Sequence, residues 1–110
     1  MSDLHPFDAA VTLRQRDDGG FDGRTHAAWA NMIGPYGGIT AAQCLQAVLQ
    51  HPDRLGDPVA LTVNFAAAVA DGPFELRVRP ARTNRSTQHW TLELVQDGQP
   101  AVTGTVFTAV

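Results

Sequence analysis

An α+β fold, with one helix lying against an antiparallel sheet of five or six strands, is predicted for these 110 residues by three observations. Gly38 to His51 repeats its apolar residues every three or four positions, the period of a helix face. The chain after Pro58 alternates apolar and polar residues with period two, as strands do. The breaks between the alternating stretches are short and rich in Gly, Pro and Asp, which favours hairpins between neighbouring strands over long crossovers.

Taken in order, Val11, Leu13 and Gln15 alternate against Thr12, Arg14 and Arg16, and Asp17-Asp18-Gly19-Gly20 supplies a turn. A second strand is expected from about Phe21 to Trp29, followed by a Gly- and Pro-rich loop from Asn31 to Gly38. In the helix, Ile39, Ala42, Leu45 and Leu49 form the apolar stripe with Ala41 and Val48 beside it. Thr40, Gln43, Gln46 and Gln50 fall mostly off that stripe, and Pro52 stops the helix. Small residues, Ala41, Ala42, Cys44 and Ala47, let a sheet approach closely.

Val59, Leu61, Val63 and Phe65 face one way and Ala60, Thr62 and Asn64 the other, which reads as a core strand. Phe74, Leu76 and Val78 make the inward face of the next strand, expected to pair with it through Ala70-Asp71-Gly72-Pro73. Trp90, Leu92 and Leu94 form a third inward face, and Asp97-Gly98 is a two-residue hairpin signal leading to a last strand through Val102, Val106 and Phe107. One helix covers only part of such a sheet and the outer strands keep unpaired backbone groups, so an oligomer is expected.

A hydrophobic fraction of 44% with 17% charged residues fits a packed globular chain. A net charge of −3 argues against nucleic acid or an anionic membrane as a partner. With no apolar run long enough to span a bilayer and no signal-peptide pattern at the start, a cytoplasmic protein is expected. The single Cys44 has no partner for an internal disulfide, and His5, His26, His51 and His89 have no metal-ligand spacing, so no metal is expected. All eight basic residues are Arg, and Arg77, Arg79, Arg82 and Arg85 cluster, either as a local anion site or as a solvated strand face.

The order of Trp29, the helix-opening loop Gly34-Pro35-Tyr36-Gly37-Gly38, the strand Leu61-Thr62-Val63-Asn64-Phe65, and Arg82-Thr83-Asn84-Arg85-Ser86-Thr87 before Trp90 resembles the hotdog fold. The likeness is to the N-terminal unit of double-hotdog acyl-CoA thioesterases of the thioesterase II type, and it covers about Phe21 to Val110. It implies a single hotdog domain over residues 1–110, with the sheet wrapped around the central helix. It also implies that two such units pair and hold acyl-CoA, or another acyl-carrier thioester, at their interface. No separate cofactor is implied, since coenzyme A enters as part of the substrate. Relatives of this type usually carry both units in one chain, with an Asp, a Thr and a Gln of the second unit orienting water, and those positions have no match here. The chain is therefore expected to pair with itself as a homodimer or higher oligomer, to join a second hotdog subunit, or to be the first half of a longer protein.

Thioester hydrolysis needs a group to polarise the carbonyl, a base for water, and a pocket for the acyl and pantetheine arms. The free N–H groups of Gly37, Gly38 and Ile39 at the positive end of the helix are candidates for the first role, and glycine lets a substrate oxygen approach them. The same glycines also suit a tight turn and a close helix–sheet contact. Gln43, one turn on, either positions water or is an ordinary helix surface residue. Trp29, Asn31, Gly34, Tyr36 and Met32 are candidates for lining the substrate pocket, while Arg82, Asn84, Arg85 and Ser86 are candidates for the coenzyme phosphates. No acid lies near the helix entry, so the base is expected from a second unit, with His26 and His89 as candidates. A hydratase is disfavoured because Asp22 and His26 are four apart on a strand. The competing reading is a non-catalytic hotdog module that binds acyl-CoA or supports a heteromer.

Overall fold

The computed structural model describes residues 4–30, 34–35 and 37–110. A short helix α1 (Pro6–Ala10) precedes strands β1 (Arg14–Gln15) and β2 (Phe21–Arg24). A 3₁₀ turn (Ala27–Trp29) leads towards helix α2 (Gly37–Leu49), and strands β3 (Asp57–Phe65), β4 (Pro73–Thr83), β5 (Thr87–Gln96) and β6 (Gln99–Ala109) follow. The six strands make one sheet in the order β1-β2-β4-β5-β6-β3, antiparallel throughout. This is the predicted α+β hotdog arrangement, with α2 against the inner face of the sheet.

That inner face is built from the alternation read in the sequence. Phe74, Leu76 and Val78 of β4, Trp90, Leu92 and Leu94 of β5, and Val102 and Val106 of β6 are all buried. Each large apolar side chain removed from water contributes about 1.5–3 kcal/mol. Cys44, Ala47 and Val48 of α2 are fully buried against them, so the small residues do bring helix and sheet together. Asp97 (φ 51°) and Gly98 (φ 74°) both take positive φ, as a two-residue hairpin requires.

The helix stripe is rotated from its expected position. Thr40 and Gln43, expected at the surface, are 1% and 2% exposed, whereas Ala41, Ala42 and Leu45 are only half-buried. The reason for Gln43 is a pair of hydrogen bonds: its Nε2 donates to the carbonyls of Ala10 and Arg24, both at 2.9 Å. The amide thus ties α2 to both α1 and the end of β2. Helix α1 itself went unread because five residues are too few for a period. Pro6 starts it with φ already set, and His5 Nδ1 accepts the Phe7 N–H at 3.0 Å.

Strand β2 ends at Arg24 rather than running to Trp29. The Thr25 N–H leaves the ladder to bond the Gly72 carbonyl, and the Trp29 indole N–H donates to Pro6 O at 3.1 Å, its ring edge-on to Phe7.

The largest departure is β3. It pairs with β6 rather than with β4, and it lies at the edge of the sheet. The seven residues between β3 and β4 do not form a hairpin; they cross the end of the sheet over β6 and β5. Three strand spacings amount to about 14 Å, well within the reach of seven extended residues at about 3.3 Å each. The expected core face of β3 is consequently exposed, with Val59, Leu61 and Phe65 at 64%, 37% and 54%, and only Val63 packs partly on the core.

Candidate functional site

Helix α2 begins with Gly37 and Gly38, so the N–H groups of its first turn have no acceptor within the helix, and no acidic side chain stands in that turn. Beside this end is a cavity of about 430 Å³. Gly34, Pro35 and Gly37 form one side of it, and Phe65, Ala68 and Val69 the other, with Thr40 behind. The approach is close: a Cβ at Gly37 would stand 3.4 Å from the Phe65 ring, and one at Gly34 would stand 3.1 Å from the Val69 carbonyl oxygen.

A second chamber of about 430 Å³ shares Gly34, Pro35, Ala68 and Val69 with the first, so the two are parts of one groove. Its walls are more polar and include His26 and Asp71. The Thr25 hydroxyl donates to Asp71 Oδ1 at 2.6 Å and accepts the Gly72 N–H at 2.7 Å, which fixes the carboxylate on the groove wall. The segment between the chambers is held at both ends. Ala66 and Ala67 both donate to the Ala101 carbonyl, at 2.9 and 3.0 Å, and the Gln96 amide pairs with the N–H and C=O of Ala70, each at 2.8 Å.

The expected site residues therefore divide into groups. Gly34 and Gly37 line the cavity, Gly38 follows at an exposed position, and Gln43 lies buried behind the helix entry with its amide N–H groups engaged by backbone carbonyls. Trp29 packs on α1 and does not line the cavity. Asn31, Met32 and Tyr36 lie outside the described residues.

Arg82, Asn84, Arg85 and Ser86 sit on the β4–β5 turn, at the end of the sheet beside the carboxyl end of α2. A 13-residue helix is about 20 Å long, so within one chain this turn and Gly37 are not neighbours. Arg82 Nε donates to Asn84 Oδ1 at 2.9 Å and Asn84 Nδ2 donates to Thr87 Oγ1 at 3.1 Å, which orders the turn. Arg85 and Ser86 are exposed.

His89 lies exposed on β5 against Phe107, away from the groove. Burial pushes the Cys44 thiol up to about 12, which removes it as a nucleophile near neutral pH. Among the described residues no three His, Cys, Asp or Glu side chains come together as a metal site, and no helix is long and apolar enough to cross a membrane. Sequence reasoning missed Phe65, Val69 and Asp71 as groove residues. The Asp71-Gly72 turn signal and the run Ala66-Ala67-Ala68 were visible, but nothing local indicated that they face the helix entry.

Residues 25–109 match the model of the acyl-CoA thioesterase N-terminal domain family. The chain belongs to that family. Among solved structures, the chain is similar to a conserved protein of unknown function with a hotdog fold from Alicyclobacillus acidocaldarius. The identity is 50% and the TM-score 0.92, over 96% of this chain and 40% of that one. It also superposes on an acyl-CoA thioesterase II from Mycobacterium marinum, at 19% identity and TM-score 0.78 over 96% of this chain and 39% of that one. A Bacillus halodurans protein whose structure was solved with CoA shares the fold at 16% identity and TM-score 0.75, over 93% of this chain and 75% of that one. No curated protein matches the sequence. The domain spans about two-fifths of the length of the Alicyclobacillus and Mycobacterium chains.

Proposed function

We propose that this thioesterase-family domain holds an acyl-CoA thioester in the groove at the amino end of α2, at an interface between two hotdog units. The thioester carbonyl accepts from the N–H groups of Gly37 and Gly38, where the helix dipole favours the oxygen charge that develops during hydrolysis. The acyl group enters the adjoining cavity. The observation that carries this reading is an apolar cavity of about 430 Å³, a size typical of small-molecule pockets, opening directly beside a helix end that begins with two glycines.

The second unit follows from the edge strand. β3 offers a row of unpaired backbone groups together with exposed Val59, Leu61 and Phe65. If two copies pair β3 antiparallel across a two-fold axis, the Phe65 end of one strand meets the Asp57 end of the other. Ser86 O accepts the Val110 N–H close to that Asp57 end, since Asp57 pairs with Ala109. The pairing thus supports a site in which Arg82, Asn84, Arg85 and Ser86 of one unit receive the coenzyme phosphates of a thioester held on α2 of the other.

For water activation, His26 and Asp71 are the proton-accepting side chains on the groove. Among the described residues none lines the chamber at the helix entry itself, and this favours the second reading, a unit that binds the thioester while another unit hydrolyses it.

Measuring free thiol released from acyl-CoA of several chain lengths, alongside binding of CoA, tests both. Hydrolysis that is abolished by Gly38→Val supports the first reading, and binding without turnover supports the second. Neither binding nor turnover would refute the proposal as a whole.

A further inference from the structure

We propose that Phe65 sets the length of the acyl chain that this site accepts; the inference rests on the acyl-thioester reading above. Among the described residues the cavity beside α2 is walled by Gly34, Pro35, Gly37, Thr40, Val69 and two alanines, and Phe65 is the largest side chain on it. The ring faces Gly37 across the entry.

Two features make the cavity a fixed gauge rather than an adaptable one. The strand end and the following segment are held at both ends by the bonds of Ala66 and Ala67 to Ala101 and of Ala70 to Gln96. Phe65 itself is 54% exposed and lies outside the buried core cluster, so its identity is free to vary without loss of core packing. Volume at position 65 therefore converts directly into space along the groove. No charged side chain lines this chamber among the described residues, which selects an uncharged aliphatic acyl group over one ending in a carboxylate.

The test uses the full chain and non-hydrolysable S-alkyl thioethers of CoA, with ethyl, butyl, octyl and dodecyl arms, titrated by calorimetry beside CoA itself. In the parent, affinity rises about fourfold per added methylene and then levels off where the chain meets the ring. Phe65→Ala moves that ceiling to longer chains, and Ala68→Phe, at another exposed wall position, moves it to shorter ones. Binding of CoA alone is measured for each variant as the baseline from which the gain per methylene is read. An unchanged ceiling in both variants, each showing the parent's circular dichroism and melting, overturns the inference. CoA binding with no gain from any alkyl arm overturns it as well and leaves the thioester reading of the helix entry standing. Failure of CoA and every thioether to bind removes the functional reading, and this inference with it.

Discussion

Replacing Gln43 with leucine removes the two donors that hold α2 to α1 and β2 while nearly conserving side-chain volume, so no cavity complicates the outcome. The Ala10 carbonyl lies in a residue only 1% exposed and has little access to water once its partner is gone. Leaving such an acceptor unsatisfied costs about 1–3 kcal/mol. The Arg24 carbonyl, near an exposed residue, recovers a water partner and forfeits only the net value of its bond, about 1 kcal/mol. The sum is about 2–4 kcal/mol, a large part of the ~5–15 kcal/mol that stabilises a small domain. Urea unfolding at pH 7 reads it as a lower midpoint with unchanged slope. Trp29 adds a local signal, since its indole bonds Pro6 in the helix that Gln43 anchors.

Gln43→Glu sharpens the test. The ionised carboxyl turns acceptors towards two carbonyl oxygens, so its folded-state pKa rises above the unfolded value of about 4.3. The stability it retains is therefore present below that value and lost as pH rises through the raised one. The glutamate variant should recover towards the parent as pH is lowered, relative to the leucine variant. A leucine variant within about 0.5 kcal/mol of the parent would refute the bracing role of Gln43 and reopen a role in positioning water.

Thr108 Oγ1 is fully buried without a hydrogen-bond partner among the described residues, so the isosteric Thr108→Val should raise stability by about 1 kcal/mol, read as a higher urea midpoint; a loss would contradict it. Burial holds the Cys44 thiol neutral up to about 12 against an ordinary value near 9.0. Its contribution is complete below pH 9 and lost between pH 9 and about 12, so the parent should lose about 1.4 kcal/mol more per pH unit there than Cys44→Ala does, measured by denaturation against pH. At Gly104 a Cβ would run into the Thr62 carbonyl and press on Leu92, so Gly104→Ala should cost about 1–3 kcal/mol and speed amide exchange in β3 before β5.

What was legible in the sequence is what local chemistry decides. The α2 repeat, the inward faces of β4 and β5 and the Asp97-Gly98 turn each follow from side-chain period or a positive-φ requirement, and each is present. The stripe was misplaced because Thr40 and Gln43 are polar residues at buried positions, and the partners of Gln43 lie 33 and 19 residues away. β3 was misassigned because alternation shows that one face is apolar and does not say what covers it. The site was half-legible for a related reason. Gly34, Gly37 and Gly38 announce a tight helix entry, but the opposite wall comes from a seven-residue crossing whose destination depends on the strand order.

That same flank of the sheet has a cost during biosynthesis. Between Pro58 and Phe65 there is no charged residue, and the irregularity at Pro58 to Ala60 guards only its first end. A nascent chain with such an unguarded ribbon is prone to stick to any other ribbon it meets, and quickly at high concentration. Soluble yield should therefore track how soon the flank is covered, making co-expression with a suitable mate a more effective remedy than lowering the temperature.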